Sequence, residues 1–250
     1  MIPQARVFAD LPGASRALAS HLEARARDAV ARRGRFCLVL SGGSTPLGLY
    51  RRLARQRSGF PWRKTHVYFA DERAVPATDP SSNFGAIDAA LLSCVPLPKG
   101  NVHRIEGERR PLDAAARSYE RLLRDTVGVG SRPSFDLVLL GLGPDGHTAS
   151  LFPGQPAVRA RSRWVVPVPE SGQPPWVSRV SLTVPALTRS REICFLVAGA
   201  DKARAVSRTF RSRGSDRLPA SRLAGAPLTW YLDRSAAVGL PPSVRSPRAD

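Results

Sequence analysis

The sequence predicts an α/β protein built on an open, mostly parallel sheet with helices on both faces. Three observations carry that prediction. Short runs of strand length alternate with segments of about 10–20 residues whose apolar positions recur at helical spacing. Several of the runs are apolar throughout, as in strands covered on both faces. Glycine-rich segments follow the runs, at the carboxyl ends where ligands of such sheets sit.

In chain order, residues 5–9 read as a strand and 14–33 as a helix, with Leu18, Leu22, Ala26, Ala29 and Val30 on one face. The continuous run Phe36–Leu40 is the next strand, followed by a helix over 46–55 that carries Leu47, Tyr50 and Leu53. Residues 65–70 (THVYFA) are β-branched and aromatic, which suits a strand. Helical stripes follow over 83–95 (Phe84, Ile87, Leu91, Val95) and Leu112–Val127 (Leu112, Tyr119, Leu122, Leu123). The run 135–140 (FDLVLL) is a further buried strand; later strands are expected at 164–168, 179–183 and 193–197, and a helix at 200–210. There is no internal repeat and no break in composition, so residues 1–239 read as one Rossmann-like α/β unit. The Pro-rich stretch 167–175 reads as a loop and residues 240–250 as a mobile tail.

Hydrophobic residues make up 42% of the 250 and charged residues 23%, which excludes chain-wide disorder. No apolar run approaches the ~20 residues of a membrane span. Residues 1–20 lack the apolar stretch of a secretory signal. Cys37, Cys94 and Cys194 are widely spaced, which argues against a disulfide framework and for a reducing, cytoplasmic setting. The 38 Lys+Arg against 20 Asp+Glu give a net charge of +18, which invites a nucleic-acid partner. Only Lys64, Lys99 and Lys202 are lysines, however, and the arginines are scattered from Arg6 to Arg248, singly or in pairs. No run of five like charges and no nucleic-acid-binding signature accompanies them. Neither a nucleic acid nor a membrane is expected as partner. A basic surface does draw in small anionic substrates.

Three loops stand at the expected ligand edge. The first is Ser41-Gly42-Gly43-Ser44-Thr45-Pro46, where Thr45 suits a helix N-cap and Pro46 the first helical position. Its glycines let amides and the helix dipole point at an anion, although a plain tight turn would use the same residues. It is not a Walker A loop, because no Lys follows the second glycine. The second loop, residues 71–76 (DERAVP), places three charges at the end of a buried strand, a costly arrangement unless they are exposed or paired. The third, residues 141–150, contains Gly141, Gly143 and Gly146 in the dinucleotide spacing G-x-G-x-x-G. Pro144 stiffens that turn, and the LFPG segment at 151–154 interrupts the helix that would receive a pyrophosphate, so a nucleotide site is not expected. His147 follows Asp145 by two residues in this loop, where an imidazole can serve as a base near neutral pH. His21, His66 and His103 lie in or near regular elements and read as structural. Neither H-E-x-x-H nor C-x-x-C occurs, so no metal is expected. Ser44 falls short of a nucleophile elbow because the last glycine is missing.

Together these segments resemble the 6-phosphogluconolactonase family, which shares its fold with glucosamine-6-phosphate deaminases. The matching stretches are LSGGSTP (40–46), DERAVP (71–76), SNFG (82–85), GLGPDGHTASLFPG (141–154), RVSLT (179–183), GADK (199–202), LPAS (218–221) and WYLDRSAA (230–237). They run in family order over nearly the whole chain. The resemblance implies a carboxylic ester hydrolase that opens 6-phospho-D-glucono-1,5-lactone without a cofactor, acting as a monomer or weak homodimer. It implies His147 as general base, Asp145 as its orienting carboxylate and Asp71 as an organiser of the site. It further implies that the loop of Ser41, Gly42, Gly43, Ser44 and Thr45 holds the substrate's phosphate, with Arg73, Arg179 and Lys202 as cationic partners. Backbone amides between Gly143 and His147 are the candidate oxyanion donors. Deaminases resemble D-E-Y where this chain has Asp71-Glu72-Arg73, and they carry a Glu-Pro where it has Leu151-Phe152-Pro153, which favours the lactonase. A deaminase-like isomerase and a non-catalytic sugar-phosphate binder are the alternatives.

Overall fold

The runs Phe36–Leu40, Leu137–Leu140 and Ile193–Val197 are buried at every position, which only a sheet covered on both faces allows. The computed structural model describes residues 4–56, 59–129, 132–211, 217–240 and 244. In chain order the elements are β1 (Gln4–Phe8), α1 (Leu11–Arg33), β2 (Phe36–Leu40), α2 (Leu47–Arg55), β3 (Thr65–Phe69), β4 (Asp71–Arg73), α3 (Asn83–Ala90), β5 (Val102–His103), α4 (Leu112–Val127), β6 (Gly128–Val129), β7 (Arg132–Pro133), β8 (Leu137–Leu140), β9 (Val165–Val168), β10 (Arg179–Leu182), α5 (Val184–Leu187), β11 (Ile193–Val197), α6 (Ala203–Arg211) and β12 (Leu228–Asp233).

Seven strands form one sheet in the order β1-β12-β11-β8-β2-β3-β5, and every neighbouring pair is parallel. The chain runs outward from β2 through β3 to β5 on one side and from β8 through β11 to β12 on the other. The order therefore reverses between β2 and β8, the place where an open α/β sheet leaves a crevice beyond its carboxyl ends. At the opposite end, the buried Asp136 carboxylate accepts from the Cys37 amide at 2.8 Å and pairs with Arg33 at 2.8 Å, which clamps those same two strands. Asp10 caps α1 by accepting from the Gly13 amide at 2.7 Å, so that helix starts earlier than its apolar stripe suggests.

Several expectations are corrected. Residues 71–73 are not loop but strand β4, and 165–168 and 179–182 do not join the parallel sheet. These three form a separate antiparallel sheet, β4-β10-β9, tied to the large one where Ala70 bridges the Leu40 carbonyl and the Leu182 amide. The helix expected over 83–95 stops at Ala90, and the one expected over 200–210 opens with a single tight turn, Ala200–Lys202. Strand β12 is an addition, and it lies inside the sheet between β1 and β11. There Trp230 stacks on Phe195 at 3.9 Å, a contact worth about 0.5–1.5 kcal/mol beyond the area it buries. Of the expected tail, residues 241–243 and 245–250 lie outside the described residues. Cys37 and Cys194 are buried and Cys94 exposed, all as free thiols. No helix among the described residues is long and apolar enough to cross a membrane.

His66 and His103 prove structural. Their Nδ1 and Nε2 atoms lie 3.1 Å apart across β3 and β5, and the His103 ring stacks on Tyr68 at 4.5 Å. Burial first, then the neighbouring His66 and Arg35, hold the His103 imidazole down at about 4. An unfolded histidine titrates near 6.5, so the unfolded chain takes up the proton first. The stability attached to this ring is complete above that pH and is lost as pH falls towards 4. His103→Phe, which keeps a ring on Tyr68 but removes the titration, is expected to flatten the fall in melting temperature between pH 6.5 and 4; thermal melts of both proteins across that range check it.

Candidate active site

The two strands at the reversal release the first and third loops side by side. The Ser41 hydroxyl donates to the Leu139 carbonyl of β8 at 2.8 Å, and the Tyr50 hydroxyl donates to the Ser41 carbonyl at 2.6 Å. Ser41 thus staples β2, β8 and α2 together. The expectation that Thr45 caps the helix is not met: Pro46 takes the cap position with φ −79° and ψ −9°, and no side chain caps α2. Among the described residues, the amides of Gly42, Gly43, Ser44 and Thr45 make no hydrogen bond to the protein. They stand at the positive end of a helix, open to an anion.

In the third loop, Asp145 Oδ1 lies 2.6 Å from His147 Nδ1 and also accepts from the His147 amide at 3.1 Å. Burial pushes the Asp145 carboxyl up, but the hydrogen bond and charge of His147 outweigh it, and the group titrates below the usual carboxylate range. An ionised carboxylate only accepts, so Nδ1 carries the proton and Nε2 offers its lone pair. Gly143 makes room for the ring: a Cβ there would fall 2.1 Å from both Cε1 and Nδ1 of His147. The same turn engages three of the candidate oxyanion donors: the Gly143 and Gly146 amides donate to carbonyls within the loop and the His147 amide donates to Asp145. Pro144 has no amide proton, which leaves the Asp145 amide as the remaining candidate.

The second loop brings the cations. Arg73 of β4 and Arg179 of β10 are direct partners in the antiparallel register. Like charges in that position repel unless an anion offsets them. Arg73 donates through one terminal nitrogen to the Ser81 carbonyl, Arg179 donates to the Gln173 carbonyl at 2.9 Å, and each keeps a buried Nε without a partner. Burial, opposed by Asp71 and reinforced by Arg73, lowers the Arg179 guanidinium below its ordinary value. Asp71 is buried and accepts from the Ser150 hydroxyl at 2.5 Å, while Asn83 Nδ2 donates to the Asp71 carbonyl at 3.0 Å. Glu72 points the other way and caps α3, accepting from the Asn83 and Phe84 amides at 2.8 and 2.7 Å. Lys202 is paired with Asp201 at 2.8 Å, on a turn whose Gly199 amide donates to Asp233.

A cavity of about 260 Å³ gathers these groups: residues 41–46, Asp71, Arg73, His147, Arg179 and Lys202 all line it. Of the residues singled out in the sequence, only Asp145 is not on its wall, because it stands behind the His147 ring. Asn83 and Gln173 also line it and had been given no role. The SNFG stretch was the signal for Asn83. Phe152 packs on His147, ring centres 4.8 Å apart, and the Arg179 guanidinium lies 5.3 Å from the centre of the Phe152 ring.

Residues 10–230 match the model of the glucosamine-6-phosphate isomerases/6-phosphogluconolactonase family. The chain belongs to that family. A 6-phosphogluconolactonase of Mycobacterium tuberculosis is 42% identical over 219 residues, 85% of this chain and 88% of the relative. One from Streptomyces coelicolor is 39% identical over 98% of this chain and 97% of its own length. Among solved structures, the 6-phosphogluconolactonase of Trypanosoma brucei superposes with a TM-score of 0.86 at 27% identity, covering 96% of this chain and 99% of that one.

The His21, Glu192 and Cys194 side chains also bring possible metal-ligand atoms within 4.8 Å of one another, away from the cavity. Glu192 already pairs there with Arg25 at 3.0 Å, and burial holds the Cys194 thiol protonated, so the group is an ion pair rather than a metal centre.

Gly143→Ala is expected to displace the imidazole and lower kcat by about 10-fold or more, with the fold kept. Circular dichroism together with steady-state rates checks this.

Proposed function

We propose that the chain hydrolyses 6-phospho-D-glucono-1,5-lactone to 6-phospho-D-gluconate, in the oxidative pentose phosphate pathway. The observation that carries the reading is the pairing, in one cavity, of two cross-strand arginines with open Nε donors and a histidine whose far nitrogen is fixed by a carboxylate. The first feature suits a phosphate, and the second suits the activation of water.

The chemistry follows from those groups. The phosphate rests against Arg73, Arg179, Lys202 and the open amides of the 42–45 turn; a planar guanidinium contacts two oxygens at once. His147 Nε2 takes a proton from a water whose oxygen attacks the lactone carbonyl carbon. The tetrahedral adduct then collapses, the bond from that carbon to the ring oxygen breaks, and Nε2 returns the proton to the departing oxygen. Asp145 keeps Nδ1 protonated and steadies the imidazolium between the two transfers. The ester is activated already, so no cofactor is called for. General base action of this kind contributes about 10²–10⁴ in rate.

A deaminase-like reading lacks its ring-opening carboxylate, since Phe152 lies against His147. A silent binding protein would have no use for a carboxylate-oriented imidazole on the cavity wall.

A coupled assay of 6-phosphogluconate formation, corrected for spontaneous opening of the lactone, tests the reading. His147→Ala is expected to lower kcat by about 10²–10⁴ with KM little changed. Near-full turnover in that variant would remove the general-base role. Arg179→Ala is expected to lower kcat/KM about 10- to 100-fold for the phosphorylated lactone, as lost charge-assisted hydrogen bonds do. The same variant is expected to leave unphosphorylated glucono-1,5-lactone unaffected, a comparison that separates phosphate binding from general damage.

A further inference from the structure

Asn83 opens helix α3 on the cavity wall and is 2% exposed. Its amide orientation is settled by chemistry: one end lies 3.0 Å from the Asp71 carbonyl and 3.4 Å from the Asp71 carboxylate, and only an N–H₂ can face two acceptors. The other end, Oδ1, is buried and has no partner. It lies against Gly42 so closely that a Cβ at that glycine would fall 1.7 Å from it. A buried acceptor left open is costly, and here the residue that carries it lines the cavity. Its chemistry is opposite to that of the arginines and open amides, which are all donors. An acceptor on the same wall does little for a phosphate monoester, which near neutral pH is largely a dianion with no proton to give; it suits a hydroxyl.

We propose that Asn83 Oδ1 accepts a hydrogen bond from one ring hydroxyl of the sugar lactone, and so makes the enzyme selective for the hydroxyl at that carbon. This rests on the lactonase reading and names the part of the substrate that the cations do not recognise. Gly42 is part of the device, because any side chain there would push the amide away. Glu72 fixes the start of α3 by accepting the Asn83 amide, so the acceptor is held from both its main chain and its side chain.

The test measures kcat/KM for the parent 6-phospho-lactone and for its 2-deoxy, 3-deoxy and 4-deoxy analogues, with wild type, Asn83→Ala and Asn83→Ser, each corrected for spontaneous hydrolysis. Wild type is expected to prefer the parent over one of the three analogues by about 10-fold or more. Asn83→Ala is expected to lose that preference, with the parent slowed and that one deoxy lactone changed by less than threefold. The preference is a ratio taken on one preparation, so a partly unfolded variant does not disturb it. An equal fall for all four lactones would show a purely structural asparagine and overturn the proposal. A wild type indifferent to all three hydroxyls overturns it even if neither variant folds. If wild type fails to open the parent lactone, the lactonase reading falls, and this inference with it.

Discussion

The carboxylate of Asp71 holds the Ser150 hydroxyl at 2.5 Å, joining chain segments 79 positions apart. Ser181 stands opposite Asp71 in the antiparallel register, and its hydroxyl accepts the Ser150 amide at 3.2 Å. One buried acid and two serines thereby fasten the β3–β4 corner, the histidine loop and strand β10. Burying a carboxylate is costly unless hydrogen bonds replace its water, and Ser150 and the Asn83 amide supply them. The three elements so joined carry Arg73, His147 and Arg179. Their mutual placement therefore depends in part on the hydrogen bonds of this one carboxylate.

The cavity is divided by polarity. Cations and open amides offer only protons; burial first, and the neighbouring Arg73 after it, loosen the hold of Arg179 on its own proton. Two like charges on adjacent strands oppose folding, so their presence is a cost that a bound anion would offset. Phe152 relates the two halves of the site. One ring contacts the imidazole and lies under the guanidinium, so Arg179 and His147 share an apolar support. An apolar neighbour also keeps the field around His147 set by Asp145 rather than by water.

The parallel sheet was legible because FCLVL, LVLL and ICFLV are apolar at every position, a pattern that hardly admits another reading. The edge that bears the site was legible as well, since two of the odd loops followed the apolar runs that end at Leu40 and Leu140 and the third followed THVYFA. Strand β4 was not, because Asp71, Glu72 and Arg73 look like a solvated turn; their partners Ser150, Asn83 and Ser81 are brought up only by folding. The small sheet escaped notice because alternation within RVSL or VVPV says nothing about which strand lies alongside. Spacing likewise showed that the loop from Gly143 to His147 has amides, but not that the turn engages those of Gly143, Gly146 and His147. The SNFG stretch marked Asn83 but not its surroundings: an unpaired oxygen is a statement about neighbours.

The excess of arginine acquires a meaning once the site is placed. Many of the arginines are answered locally, as in Arg27–Glu23, Arg32–Asp28, Arg117–Asp113 and Arg124–Glu120, each one helical turn apart. Such exposed pairs contribute only about 0.3–0.5 kcal/mol each, so stability is a weak reason for keeping them. The charge that remains unanswered still sums to +18 over the chain. Its field is screened beyond about 8 Å at physiological salt, but near the surface it raises the local concentration of a phosphate-bearing solute. A lactone that opens unaided in water must be captured quickly for an enzyme to matter at all. A net positive chain whose cavity is lined by Arg73, Arg179 and Lys202 favours rapid capture of such a solute, the property a catalyst of an already facile reaction most needs.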